Sequence, residues 1–98
     1  MARPQKCRYL SREIKAYFFL PEGRTQTRII VTELLADELE AIRLCDGEEF
    51  EQTAAGKQMG ISRPTVQRLL YSGRKKLAQA LTAGQPIQIA FPKYVLRR

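Results

Sequence analysis

The sequence contains no histidine, only two cysteines, and no acidic residue after Glu51. Each absence removes a class of function. Without imidazole the commonest general base is gone, and no nucleophile–base pair can be assembled from what remains, so an enzyme is not expected. Cys7 and Cys45 lie far apart with no CxxC spacing, which argues against a disulfide framework or a zinc site. They read as small apolar residues or surface thiols, the alternative being a redox or metal switch shared between two subunits. No cofactor and no metal are expected. No apolar run approaches the roughly 20 residues that a bilayer requires, and the opening residues Met1 to Lys6 lead into no apolar signal segment. The expectation is a soluble cytoplasmic protein with no membrane partner. At 98 residues the chain has room for one domain with a modest core.

What is present is charge, unevenly spread. The net value is +7. Residues 1–28 hold seven Lys/Arg and two acids, residues 29–56 one Arg and eight acids, and residues 57–98 nine Lys/Arg and no acid. A carboxylate-free segment cannot neutralise itself locally, so the last block is expected to offer a polyanion an unopposed positive surface.

The fold class expected is mainly α: a three-helix helix-turn-helix core over residues 37–82, with a few short flanking strands from the N- and C-terminal segments and a basic arm at residues 1–16. The first helix is read over residues 37–45, with Asp37 as its cap, Glu40 in the capping-box position and Leu39, Ile42 and Cys45 on one face. The second spans residues 51–58, preceded by Phe50 as a staple, with Ala54, Ala55 and Gly56 small enough for close approach. Met59-Gly60-Ile61 reads as a tight turn. The third starts at the N-cap Ser62, carries Pro64 in its first turn, and stops at Thr82-Ala83-Gly84. Its buried stripe is Val66, Leu69, Leu70, Gly73, Leu77 and Leu81. Its opposite stripe is Arg63, Gln67, Tyr71, Arg74 and Lys75. Residues 17–20, 28–32 and 87–91 are short, β-branched or aromatic, and read as strands.

Small Ala55 and Gly56, the glycine turn, and apolar Val66 and Leu69 match what two crossed helices need when the second must lie in a DNA groove. On that reading Arg63 and Arg68 can each donate two hydrogen bonds to guanine, Gln67 can pair with adenine, and Tyr71 can reach a phosphate or a thymine methyl. Gln52, Ser62 and Thr65 are candidates for phosphate contacts, and Lys57, Arg74, Lys75 and Lys76 extend the positive track. Arg3, Lys6, Arg8 and Arg12 are candidates for an arm along the minor groove or the phosphates.

Residues 50–81, FEQTAAGKQMGISRPTVQRLLYSGRKKLAQAL, are similar to the promoter-reading fourth region of bacterial sigma factors in GIS, TV and RKKL. Nearly the whole chain, to Ile89, resembles more closely an uncharacterised prokaryotic family of small predicted DNA-binding proteins. The resemblance rests on MARP at residues 1–4, Cys7-Arg8, FLPEG at 19–23, DELEAIRL at 37–44 and MGISRPTVQRLL at 59–70. It implies a helix-turn-helix and DNA binding. Two positions depart from the pattern: Glu51 stands where relatives often place a serine cap, and Gly56 where they often have alanine. Residues 91–98 lie beyond it.

The expected function is therefore sequence-specific binding of double-stranded DNA by a transcriptional regulator acting as a homodimer, because one short helix reads too few base pairs for genomic specificity. The alternative is a protein-interaction module that docks its basic helix on an acidic partner such as an RNA polymerase subunit. RNA binding lacks support, since no RNP-type aromatic motif or GxxG loop occurs.

Overall fold

The computed structural model describes residues 7–22 and 30–97. Among the described residues, three α-helices and five short strands follow the order β1 (Arg8–Leu10), β2 (Phe18–Phe19), β3 (Thr32–Leu35), α1 (Ala36–Ile42), α2 (Gln52–Met59), α3 (Arg63–Ala83), β4 (Ile87–Ala90) and β5 (Val95–Arg97). Between α1 and α2, residues Arg43–Gly47 form one widened π-helical turn. The chain is thus mainly α with short flanking strands, and among the described residues no helix is long and apolar enough to cross a membrane.

The strands act as clasps. β4 pairs in parallel with β3 and antiparallel with β2, giving the order β2-β4-β3. Parallel neighbours cannot be joined by a tight turn and need a long crossover; here the entire helical unit is that crossover. Leaving from β3 and returning into β4, it has both ends fixed by the same ladder. A second clasp pairs β1 with β5 in parallel, with Arg8 opposite Val95. Two apolar clusters result. Ala41, Leu44, Ala55, Met59, Ile61, Val66, Leu69 and Leu70 fill the space among the helices, and Leu10, Leu34, Ala36, Ala80, Ile87 and Ile89 join the sheets to the far half of α3.

Several expectations change. Residues 8–10 are not part of a free arm but an inner strand, and the tail, which carried no structural expectation, supplies its partner at Val95–Arg97. The strand expected at 28–32 runs instead from Thr32 to Leu35; residues 23–29 lie outside the described residues. Leu81 is 73% exposed, and Ala80 takes its place in the buried stripe. Asp37 does not cap α1. Leu35 occupies the N-cap, and its amide donates to Glu38 Oε1 at 2.9 Å. Nor does α1 run regularly to Cys45, because its last turn widens, with the Glu48 amide bonded to the Arg43 carbonyl five residues back.

The acids at the start of α1, Asp37, Glu38 and Glu40, are buried, and each is paired. Asp37 accepts from Arg8 at 2.9 Å. Glu38 accepts from Lys76 at 2.8 Å and from the Ser72 hydroxyl. Glu40 accepts from the Ser11 amide and hydroxyl, both at 2.8 Å, and from Arg43 Nε at 2.7 Å. Burial by itself would push the Glu40 carboxyl up; the Arg43 and Ser11 hydrogen bonds outweigh it and hold the pKa below its ordinary value of 4.5.

A carboxyl whose folded pKa is depressed stabilises the fold fully above its unfolded value and loses that contribution as the pH falls through the folded one. Urea denaturation between about pH 6 and pH 3 should therefore show wild type losing stability on acidification more steeply than Glu40→Gln, which has no proton to take up at this position. Parallel pH profiles for the two proteins would contradict the assignment.

Candidate nucleic-acid interface

α2, a turn and α3 form the unit that carries most of the candidate residues. α2 stops because Gly60 takes φ +75°, a left-handed conformation that a residue with a Cβ adopts at a cost. Its amide and that of Ile61 both reach the Gly56 carbonyl, the latter at 2.9 Å. This closes the helix end in a Schellman-type turn. The Tyr9 ring from β1 covers the turn, so that a Cβ on Gly60 would lie 3.2 Å from it. α3 then starts at Ser62, whose hydroxyl accepts from the Thr65 amide at 3.4 Å, with Pro64 in the first turn.

The faces of α3 divide as its periodicity requires. Val66, Leu69, Leu70 and Gly73 are buried against α1 and α2, while Arg63, Gln67, Arg68, Tyr71, Arg74 and Lys75 are exposed, Tyr71 by 71%. Lys57 is exposed on α2. Arg68 Nη2 donates to Thr65 Oγ1 at 3.1 Å, which folds its guanidinium toward the start of the helix. Thr65 Oγ1 also lies 3.0 Å from the Ser62 hydroxyl. Both hydroxyls named as phosphate candidates thus already serve the cap.

Two shallow depressions meet at Gln52, in the first turn of α2. One is bounded by Gln67, Tyr71, Arg74 and Lys75, the other by Asp46, Glu51, Thr53 and Arg63. Gln52 is half-buried, and its Oε1 has no hydrogen-bond partner among the described residues.

The segment after residue 56 is not unopposed. Arg74 is held by Asp46 in a two-pronged pair at 3.0 and 2.6 Å, and the Arg74 hydrogen bond pulls the Asp46 carboxyl below its ordinary range. Lys76, expected in the positive track, instead turns inward to Glu38 and is withdrawn from the track. Arg8 is 6% exposed, bonded to Asp37 and stacked 4.8 Å from the Tyr94 ring centroid, so it is no arm residue. Arg12 is exposed; Arg3 and Lys6 lie outside the described residues. Among the described residues, Lys57, Arg63 and Lys75 form no ion pair. The partners Asp46 and Glu38 were missed because they stand 28 and 38 residues from Arg74 and Lys76, beyond any local pattern. The acidic block facing the basic block in the charge distribution was the one signal of such pairing. Cys45 packs against the helical cluster, and burial pushes its thiol up, away from the reactive thiolate; Cys7 is exposed, and both are free.

The chain belongs to the family described as "Protein of unknown function DUF134", which matches residues 1–97. It is similar to a UPF0251 protein of Dehalococcoides mccartyi, 44% identical over 89 residues that cover 91% of this chain and 76% of that one. A UPF0251 protein of Shewanella putrefaciens is 44% identical over 89 residues, covering 91% of each chain. A third, from Clostridium novyi, is 42% identical over 94 residues, covering 96% of this chain and 64% of that one. No solved structure matches the chain.

Gly56 marks the closest approach in this unit. A Cβ there would lie 2.6 Å from the Ile61 carbonyl oxygen, a backbone atom that cannot swing away. Helix propensity alone would make Gly56→Ala stabilising by about 1 kcal/mol. The contact reverses the sign: urea denaturation should show Gly56→Ala less stable by about 1–3 kcal/mol. A more stable variant would mean that the turn is not held against α2.

Proposed function

We propose that this member of the family is a transcriptional regulator that binds double-stranded DNA, with α2, the Gly60 turn and α3 acting as a helix-turn-helix and the first turns of α3 entering the major groove. The observation that carries this reading is the segregation on α3. One face grips the fold through Val66, Leu69 and Leu70, while the other leaves Arg63, Gln67, Arg68, Tyr71 and Lys75 exposed, with no ion pair to Arg63, Arg68 or Lys75 among the described residues.

A major groove about 12 Å wide admits an α-helix, and base edges there present distinct donor and acceptor patterns. Arg63 and Gln67 are one turn apart and suited to bidentate contacts with guanine and adenine; Arg68 reaches a base or phosphate by releasing Thr65, and Tyr71 lies one turn beyond Gln67. Lys57 and Lys75 serve as point charges for phosphates. Gln52, at the junction of the two depressions, supplies an amide with unused hydrogen-bonding capacity. Arg74 joins the phosphate set only by exchanging Asp46 for DNA, so its contribution is partly offset by the pair it gives up. Such a helix covers few base pairs, and a homodimer would supply the rest of a site.

With roughly four to six phosphates neutralised, log K against log salt should fall with a slope of about −4 to −5. On matched and scrambled duplexes, Arg63→Ala and Gln67→Ala should lose discrimination, by about 1–3 kcal/mol per bidentate contact. Lys75→Ala should weaken both duplexes alike. Indistinguishable behaviour of Arg63→Ala and Lys75→Ala would defeat the groove-reading assignment. No retardation of mixed-sequence DNA at low salt would instead favour docking of the basic helix on an acidic protein such as an RNA polymerase subunit.

A further inference from the structure

The far half of α3 does not share the character of its first half. After Lys76 no charged residue occurs before Lys93, a long neutral interval in a chain of net charge +7. In this interval α3 flanks an apolar groove of about 580 Å³, lined chiefly by Phe19, Leu34, Leu39, Leu77, Leu81 and Ile89. Its mouth is wet and apolar at once: Leu81 is 73% exposed, Phe19 52% and the adjoining Leu20 68%. Apolar surface gathered in this way on a small soluble domain marks a contact site rather than a solvated face.

We propose that this groove is the contact surface between two copies of the chain, related by a two-fold axis passing close to Leu81. Two features select a second copy as occupant. Like-charged copies repel wherever their basic surfaces meet, and the groove is the neutral part of the molecule. Its rim carries one base and one acid, Lys15 and Glu13, and the Arg43 charge beside it is already taken by Glu40 and Glu48. Two-fold contact sets the same patch against itself, so that the Leu81 of each copy can fill the groove of the other.

Sedimentation equilibrium of the full chain without DNA, from low-micromolar to near-millimolar concentration, tests the surface alone. Wild type should reach twice its 11.2 kDa mass. Leu81→Arg and Phe19→Arg, at positions more than half exposed and with unchanged far-UV circular dichroism, should sediment as monomers. Wild type remaining at 11.2 kDa throughout, or either folded variant remaining dimeric, would overturn the proposal. If the DNA reading above holds, then on duplexes carrying one half-site or two, Leu81→Arg should keep wild-type affinity for one and lose cooperative occupation of two. A wild-type dimer that ignores DNA would uphold the surface and defeat the DNA reading.

Discussion

Three carboxylates on one short helix hold this molecule together. Asp37, Glu38 and Glu40 are each no more than 4% exposed, and each ties α1 to a different part of the chain: Asp37 to β1 through Arg8, Glu38 to α3 through Lys76 and Ser72, Glu40 to the Ser11 loop and the π-helical turn through Ser11 and Arg43. A buried ion pair adds little over a well-packed apolar pair, but breaking one costs about 3–5 kcal/mol, because the surviving charge stays buried alone. Such groups therefore fix which segments meet α1. They also decide the electrostatics of the surface. By engaging Arg8, Arg43 and Lys76 they leave a narrower set of cations, centred on the first half of α3, to face a polyanion.

Around that hub the local devices agree with one another. β3 and β4 clamp the two ends of the helical unit in one ladder, the Gly60 turn fixes where α2 gives way to α3, and the Ser62 cap starts the helix at the point where its outward face begins. Tyr9, carried by the strand that Arg8 anchors, covers the turn. The ion pairs of α1 thus reach the candidate interface through packing. Arg74 and Asp46 add an exposed pair at its border; at about half exposure such a pair contributes little to stability, and a phosphate can replace the carboxylate.

The helices and their order were legible in the sequence because they depend on short-range chemistry. Ser62 with Pro64, the glycine at 60, and the spacing of Val66, Leu69 and Leu70 each act within one or two turns, and α2 and α3 begin within a residue of where those signals put them. What was not legible depends on partners distant in the chain. Asp37 and Glu40 have the look of capping residues, and only the arrival of Arg8 and Ser11 makes them buried anchors. Arg8 looks like part of a basic arm until β5, some ninety residues on, gives β1 a partner. Leu81 fits the apolar period, but by that point the helix has left the three-helix cluster and packs on the sheet through Ala80. For the site, the outward face was read from periodicity, whereas the loss of Lys76 and the engagement of Arg74 follow from pairings that no helical wheel displays.

The proposed DNA binding requires that the outward face of the first half of α3 be the surface that meets the duplex. Amide NMR shifts recorded while a duplex is added to the labelled protein locate that surface residue by residue. The largest changes should fall on Gln52 and on residues 62–75, with the β1–β5 pair and the Lys76 region little affected. Changes concentrated on the strands, or no change at low ionic strength, would contradict it.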